Sequence, residues 1–324
     1  ALRAAPGARL DLLARDSIFY PMRYQDDTAG NYLTRTIAPG TSNSSPTRIY
    51  AVNGDITNAR VGQIVFDWAG IPANYIGGGP LWMRAGRDII ASGGLDDPAT
   101  DWRNEAGGGG LIVHGGDNDV SIVQAGRDII YANLQVAGPG TLALVAGRSI
   151  YQGDKGGVVS IGPIAAGDAR PGASILFQAG AGASGPDYGG LLAYLDPANL
   201  ARPGVPLADQ PGKVVKTHET ELAAWLADRY RFEAAGDTEA RAYFAQLPAE
   251  QQGIFLRLVY FAELREGGRE YNDADGPRFG SYLRGRQAIA ALFPDRDARG
   301  GEIARPGDII LFGGSGVRTN FGGD

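Results

Sequence analysis

AGRDII stands twice in this chain, at 85–90 and at 125–130, and a close copy, AGRSIY, follows at 146–151. Weaker copies read LARDSI at 13–18, VNGDI at 52–56 and PGDII at 306–310. Each is anchored on an isoleucine: Ile18, Ile56, Ile89, Ile129, Ile150 and Ile309. The first four intervals are 38, 33, 40 and 21 residues. The shortest reads as one structural unit, 38 and 40 as two, and 33 as one unit carrying a loop. Four residues before the anchor sits Ala14, Val52, Ala85, Ala125 or Ala146. Upstream, the positions in phase are Leu10 and Leu12, Leu81 and Met83, Ser121 and Val123, Leu142 and Leu144. Period-2 alternation places such residues on one face of a short strand, and the glycine of the phrase ends it.

A unit of about 20 residues made of short strands cannot bury its apolar face alone, whereas stacked units can. The expected fold is therefore mainly β: a right-handed parallel β-helix whose coils lie about 4.8 Å apart, the hand following from the crossover rule. An antiparallel sandwich also alternates, but a near-identical phrase at fixed phase favours the solenoid.

Between about 217 and 293 glycine thins and helix formers take over. Leu222, Trp225, Leu226 and Tyr230 are spaced for one helical face. Asp237 or Thr238 is placed to cap a second helix through Leu247, and Pro248 suits the first turn of a third. The third helix's expected stripe is Ile254, Phe255, Leu258, Val259 and Ala262. A fourth covers about 277–292 with Tyr282, Leu283 and Ile289 inward, and Pro294 stops it. The expected organisation is 1–215 as β-helix coils, 216–296 as an α-helical insert, and 297–324 as resumed coils. The chain is expected to be an excised piece of something longer.

Fifty glycines in 324 residues, about 15% and roughly twice the usual share, suit turn-rich β structure. Cysteine is absent, which excludes disulfides, thiol chemistry and Cys-ligated zinc. His114 and His218 are the only histidines, so a multi-histidine metal site within one chain is excluded. The net charge of −6 argues against a nucleic-acid groove. No apolar run reaches the length of a membrane helix, so the chain is not expected to span a membrane.

The repeated AGRDI phrase after an alternating strand resembles the filamentous haemagglutinin-type exoproteins of Gram-negative bacteria, over about 7–180 and 301–324. The stretches YLDPANLARPGVPLADQPGKVV at 194–215, REYND at 269–273 and GSYLRGRQAIAALFP at 280–294 resemble a domain found late in large members of that family. The resemblance implies a secreted, cell-surface β-helical shaft exported through an outer-membrane two-partner secretion transporter. It also implies a host or bacterial cell surface as partner, through a protein or glycan ligand that the residues do not identify.

Candidate chemistry is sparse. Asp96, Asp97 and Asp101, Asp117 and Asp119, and Asp273 and Asp275 form acidic clusters that a β-helical polysaccharide hydrolase or lyase would use. They are read instead as solvated turns, since aspartate favours turns and no cluster that sets a basic or histidine partner beside the acids is evident. GGDNDVSIV at 115–123 partly matches a calcium-binding nonapeptide but occurs once and lacks the full spacing. GGGG at 107–110 and GGSG at 313–316 lack the Lys-Ser or Lys-Thr of a phosphate loop. Asn43-Ser44-Ser45 is a chance sequon. His114 and His218 are expected at the surface. Phe19, Tyr20, Tyr24, Tyr32, Tyr50, Trp68, Tyr75 and Trp82 are expected to plug a widened coil or anchor loops rather than bind sugar.

The expected function is a non-catalytic structural and adhesive segment, with no catalytic, cofactor-binding or metal-binding residues and no cofactor. Any local function is placed on the helical insert, with charged stretches from Glu263 to Glu270 and Asp273 to Arg278 as a partner-binding rim. The alternatives are a β-helical enzyme on extracellular polysaccharide and a receptor-binding element of a contact-dependent toxin-delivery protein.

Overall fold

The computed structural model describes residues 2–3, 10–19, 24–25, 32–33, 37–38, 46–59, 61–66, 72–76, 79–90, 110–152, 157–163, 167–296, 299–311 and 316–320. Their contacts divide into two units, residues 1–185 with 305–324, and residues 186–304. The second unit thus begins well before the expected boundary at 215/216, because the turns from Tyr188 onward pack with the helices rather than continuing the strands.

The first unit contains three multi-stranded sheets in which every strand pairing is parallel. The first sheet runs, in spatial order, Asp11–Ala14, Thr47–Ala51, Leu81–Ala85, Val120–Ala125, Thr141–Ala146 and Ser174–Gln178. The second runs Ile309–Leu311, Ile150–Gln152, Ile129–Ile130, Ile89–Ile90, Ile56–Thr57 and Ile18–Phe19. The third runs Gly110–Val113, Leu134–Ala137, Gly157–Gly162 and Gly316–Thr319. From Ile89 onward the chain visits second, third and first sheets in rotation, and each strand pairs with its equivalent from the previous pass. Smaller two-stranded pairings join Leu2–Arg3 to Ile37–Ala38, Tyr24–Gln25 to Tyr32–Leu33, and Gln63–Phe66 to Pro72–Ile76. With the helices of the second unit, the chain as a whole is mixed α/β rather than mainly β.

The phased apolar residues form the core. Leu81, Met83, Val123, Leu142 and Leu144 are fully buried, as are Ile56, Ile89, Ile129 and Ile150. Each such isoleucine contributes about 1.5–3 kcal/mol by leaving water. Ile56 pairs with both Ile18 and Ile89, Ile129 with both Ile89 and Ile150, and Ile150 also with Ile309. Every interval between anchors is therefore one pass. The intervals of 38 and 40 residues, expected to hold two units each, each separate directly paired anchors and so hold one. Ala14, Ala51, Ala85, Ala125 and Ala146 share one register position. Ala51, not Val52, is the equivalent alanine, because VNGD adds one residue before the anchor; Val52 itself is exposed.

The rest of the phrase acts between passes. A Cβ on Gly86 would lie 2.1 Å from the Val52 carbonyl oxygen, one on Gly126 2.2 Å from that of Gly86, and one on Gly147 2.0 Å from that of Gly126. Only glycine permits this approach. The residue before each isoleucine forms a rung, its side chain accepting the backbone N–H of its equivalent in the next pass. Ser17 Oγ accepts from Asp55 at 3.0 Å, Asp55 from Asp88 at 3.0 Å, and Asp88 from Asp128 at 3.1 Å. Asp128 accepts from Ser149 at 3.0 Å, and Ser149 Oγ from Asp308 at 3.2 Å across the whole second unit in sequence.

Residue choice follows the neighbour. Where the rung is aspartate, at 55, 88 and 128, the next pass supplies Arg87, Arg127 or Arg148 directly before its own rung residue, and each pairs with that carboxylate. Where the rung is serine, at 17 and 149, the next pass supplies Gly54 or Gly307. A Cβ on Gly54 would lie 2.3 Å from Ser17 Oγ, and one on Gly307 2.1 Å from the Arg148 carbonyl oxygen. Burial pushes Asp88 upward, but the Arg127 hydrogen bond and the Asp128 N–H hold it below the ordinary aspartate value.

This complementarity predicts coupling. Asp128→Ser alone should leave Arg148 without its carboxylate, whereas Asp128→Ser with Arg148→Gly recreates the rung found at 17 and 54. In urea denaturation the double variant should lose about 1 kcal/mol less than the sum of the single losses. Strictly additive losses would contradict the rung assignment.

Candidate functional site

Among the residues singled out from sequence, Asp96, Asp97, Asp101, Tyr20, Trp68, Asn43-Ser44-Ser45, Gly107 to Gly109 and Gly313 to Ser315 lie outside the described residues. Gly110 and Gly316 open strands of the third sheet. Tyr24, Tyr32 and Tyr75 fall in the small two-stranded pairings. Trp82 is buried and its Nε1 donates to the Val120 carbonyl at 3.0 Å, with Arg48 over its ring. Tyr50 is half-buried under Arg84, and Phe19 is exposed.

Asp119 is a buried turn former. Its Oδ2 accepts the N–H groups of Gly115 at 2.7 Å and Gly116 at 3.1 Å. Arg170 supplies the positive charge beside this turn, donating to the Gly115 carbonyl at 2.8 Å and lying 3.8 Å from Asp117. The same guanidinium hydrogen-bonds both oxygens of Asp168, which holds that carboxyl at about 2. Among the described residues no group of three or more histidine, aspartate or glutamate side chains is placed to hold a metal ion.

His114 is buried, not at the surface as expected. Its Nδ1 lies 2.7 Å from the Pro139 carbonyl and its Nε2 2.7 Å from Ser121 Oγ. A carbonyl only accepts, so Nδ1 carries the proton and Nε2 accepts from the serine hydroxyl. Ser121 Oγ in turn accepts the Leu81 N–H at 3.0 Å. A serine–histidine pair at this distance would suit nucleophilic catalysis, but Ser121 is fully buried, so the pair ties three passes together instead. Burial pushes the His114 pKa down, against Asp119 and the Pro139 bond, which raise it. A histidine depressed in the folded state stabilises fully above its unfolded value and loses that contribution as pH falls below about 6.5. Melting temperature should therefore drop between pH 7.5 and 5.5, and His114→Gln should flatten that drop; an unchanged pH slope in the variant would exclude His114 as its source.

The second unit gathers its charges inside. Helix α1 spans Glu219–Tyr230, α2 Asp237–Gln246, α3 Ala249–Asn272 and α4 Leu283–Leu292. Acidic residues in its first turn and a left-handed Arg231 bound α1. Gly236 and Pro248 precede α2 and α3 as their caps, in place of Asp237 or Thr238 and of a first-turn proline. Helix α4 begins at Leu283 rather than near 277, since Gly280 takes φ +71° in the turn before it. Trp225 packs on Tyr230, Phe244 and Phe255, within the core built by Leu222, Leu226, Leu256, Val259 and Leu292. Leu258 and Ile289, expected inward, are exposed, and Tyr282 and Leu283 are half-buried; Leu256, Arg284, Ala288 and Leu292 take the inward places.

Glu263, fully buried on α3, lies at the centre of a charge chain. Its Oε1 is 2.9 Å from His218 Nε2 and 2.7 Å from Arg284 Nη2, and its Oε2 is 2.7 Å from Arg284 Nε. Arg284 also donates to Glu270 at 2.7 Å, and Arg278 grips the same carboxylate through two hydrogen bonds. Burial pushes Glu263 up, but the hydrogen bonds from Arg284 and His218 hold it below the ordinary glutamate value. Tyr194, beside this chain, is pushed up by burial and by Glu263. His218 is thus buried, contrary to expectation, and of the expected rim Glu263, Glu270 and Arg278 join this network while Arg265 and Arg269 are exposed. Asp273 and Asp275 remain exposed in the turn after α3. Sequence reasoning missed Arg284 and Tyr194 as partners of this network, since its members come from segments distant in sequence. Beside Arg284, α3 and α4 touch at Gly267, where a Cβ would lie 2.9 Å from the Gly285 nitrogen.

The helical unit also holds a cleft of about 420 Å³ lined by Leu192, Leu195, Asp196, Arg241, Phe244, Ala245 and Gln252. Leu195 and Phe244 form an apolar floor, while Asp196, Arg241 and Gln252 provide polar groups. Arg241 pairs with Glu219. The Asp196 carboxylate accepts the Ala198 N–H at 2.9 Å and so caps the short turn that follows it.

Comparison of the chain with protein-family models, with curated proteins and with solved structures finds no match. Among the described residues no helix is long and apolar enough to cross a membrane.

Arg284→Ala should leave the Glu263 carboxylate buried with one partner and cost about 3–5 kcal/mol in the helical unit. Because Glu263 is depressed in the folded state, its contribution should be present above about pH 4.5 and vanish as pH falls through its folded value. A melt of the variant within 1 °C of the parent, roughly a few tenths of a kcal/mol, would show the network to be idle.

Proposed function

We propose that this chain is a non-catalytic structural and adhesive segment of a filamentous haemagglutinin-type secreted exoprotein. In this reading the first unit is a stretch of right-handed parallel β-helix, part of a shaft at the bacterial surface, and the second unit is a lobe that meets a partner. The observation that carries it is the rotation of the chain through three parallel sheets with rungs joining every pass. Such a stack gives length and stiffness without a reactive centre. The helical unit departs from it once, between the strands Ser174–Gln178 and Ile309–Leu311, and offers the non-repeating surface that recognition needs. Export of the parent protein through a two-partner transporter belongs to the same proposal and rests on the sequence resemblance alone.

Replacing residues 186–304 by a short Gly/Ser linker tests the division of labour. The shortened chain should keep its β-type circular dichroism and lose binding to host or bacterial cells that the full chain shows. Release of new sugar ends from uronate polymers by the full chain, abolished by changing Asp96 and Asp97, would instead establish the polysaccharide-cleaving alternative. Equal cell binding by both chains would remove the lobe from the recognition role.

A further inference from the structure

The three sheets end together. Ser174–Gln178, Ile309–Leu311 and Gly316–Thr319 are the last strands of their sheets on one end, each with an edge that no described strand pairs. Ile309 occupies the anchor position at which Ile56, Ile89, Ile129 and Ile150 are fully buried, yet it is 45% exposed. Leu311 and Val317 are exposed beside it. The rung ladder stops there as well. Asp308 gives its N–H to Ser149, but among the described residues its carboxylate has no partner.

We propose that this end is a docking edge for a further β-strand pass, from polypeptide outside residues 1–324, that carries an arginine directly before its rung residue. Three observations specify the occupant. The open strands present parallel backbone edges in the register that every earlier pass uses. The uncovered anchor requires an apolar residue above it. The rung rule then sets the charge: each aspartate rung at 55, 88 and 128 meets an arginine from the next pass, and Asp308 is an aspartate rung still lacking one. The same rule argues against a second copy of this chain docking head to tail. Its first rung residue, Ser17, is preceded by Asp16, which would set a carboxylate against that of Asp308.

The inference rests on the strand pairing and the rungs, not on the adhesive role. Its probe is a synthetic peptide with the sequence of residues 141–162, which contains one natural pass with Arg148, and a version carrying Arg148→Gly. Both are titrated against the chain and against its Asp308→Ser variant, with hydrogen exchange followed at residues 309–311 and 316–319. The parent chain should bind the arginine peptide about threefold to tenfold more tightly than the glycine peptide. Asp308→Ser should cancel or reverse that preference, and bound peptide should slow exchange at both strands. Binding of neither peptide, or one preference shared by both chains, would overturn the proposal. Self-association of the chain that excludes the peptide would give the edge to a second copy and would likewise overturn it. Each result leaves the role of residues 186–304 to be decided by their deletion.

Discussion

The backbone N–H before each anchor isoleucine must find an acceptor, and from Ile56 onward the acceptor is a side chain one pass earlier. That requirement explains why the phrase keeps a serine or aspartate at this position. Were the side chain removed, a donor with little access to water would lose its bond, at a cost of about 1–3 kcal/mol per rung. The rungs also fix register. A slip by one residue would turn the anchor isoleucines outward and set the rung acceptors against the wrong amides. Glycine at the corner and arginine or glycine before the rung are consequences of the same close spacing.

The ladder makes the β unit tolerant of interruption. Successive passes need only bring their strands back in register, so rung partners lie from 21 to 159 positions apart in sequence. The longest excursion holds the helical unit, which carries its own core and its own charged interior. There the organising interaction is different. Glu263 draws in His218 from the start of α1 and Arg284 from the start of α4, and Arg284 extends the contact to Glu270 and Arg278. Residues 194–215, 269–273 and 280–294, far apart in sequence, supply Tyr194, Glu270 and Arg284, members or neighbours of this one network.

What was legible in the sequence was whatever repeats or has a period. The AGRDI phrase located the second-sheet strands, their inward isoleucines and the corner alanines at 85, 125 and 146, because identical local chemistry recurs there. Loop length carries no such signal, so intervals of 38 and 40 residues read as two passes when they hold one. The helical faces around Leu222 and Leu226 were equally plain. On α3 the period admitted Leu258 as readily as Leu256, and only the packing of the unit's shared core decided between them. His114 and His218 read as surface residues because the groups that satisfy them are distant in sequence: Pro139 for the first, Glu263 for the second. Burial of a polar side chain is a property of its partners, and a single sequence does not pair them.

The central claim is that the rungs close the stack, and hydrogen exchange of the rung amides measures it most directly. The amides of Asp55, Asp88, Asp128, Ser149 and Asp308 should be protected to a degree comparable with the anchor amides of Ile89, Ile129 and Ile150. Exchange at those five amides as fast as at Gly204, which lies in an open turn, would contradict the account.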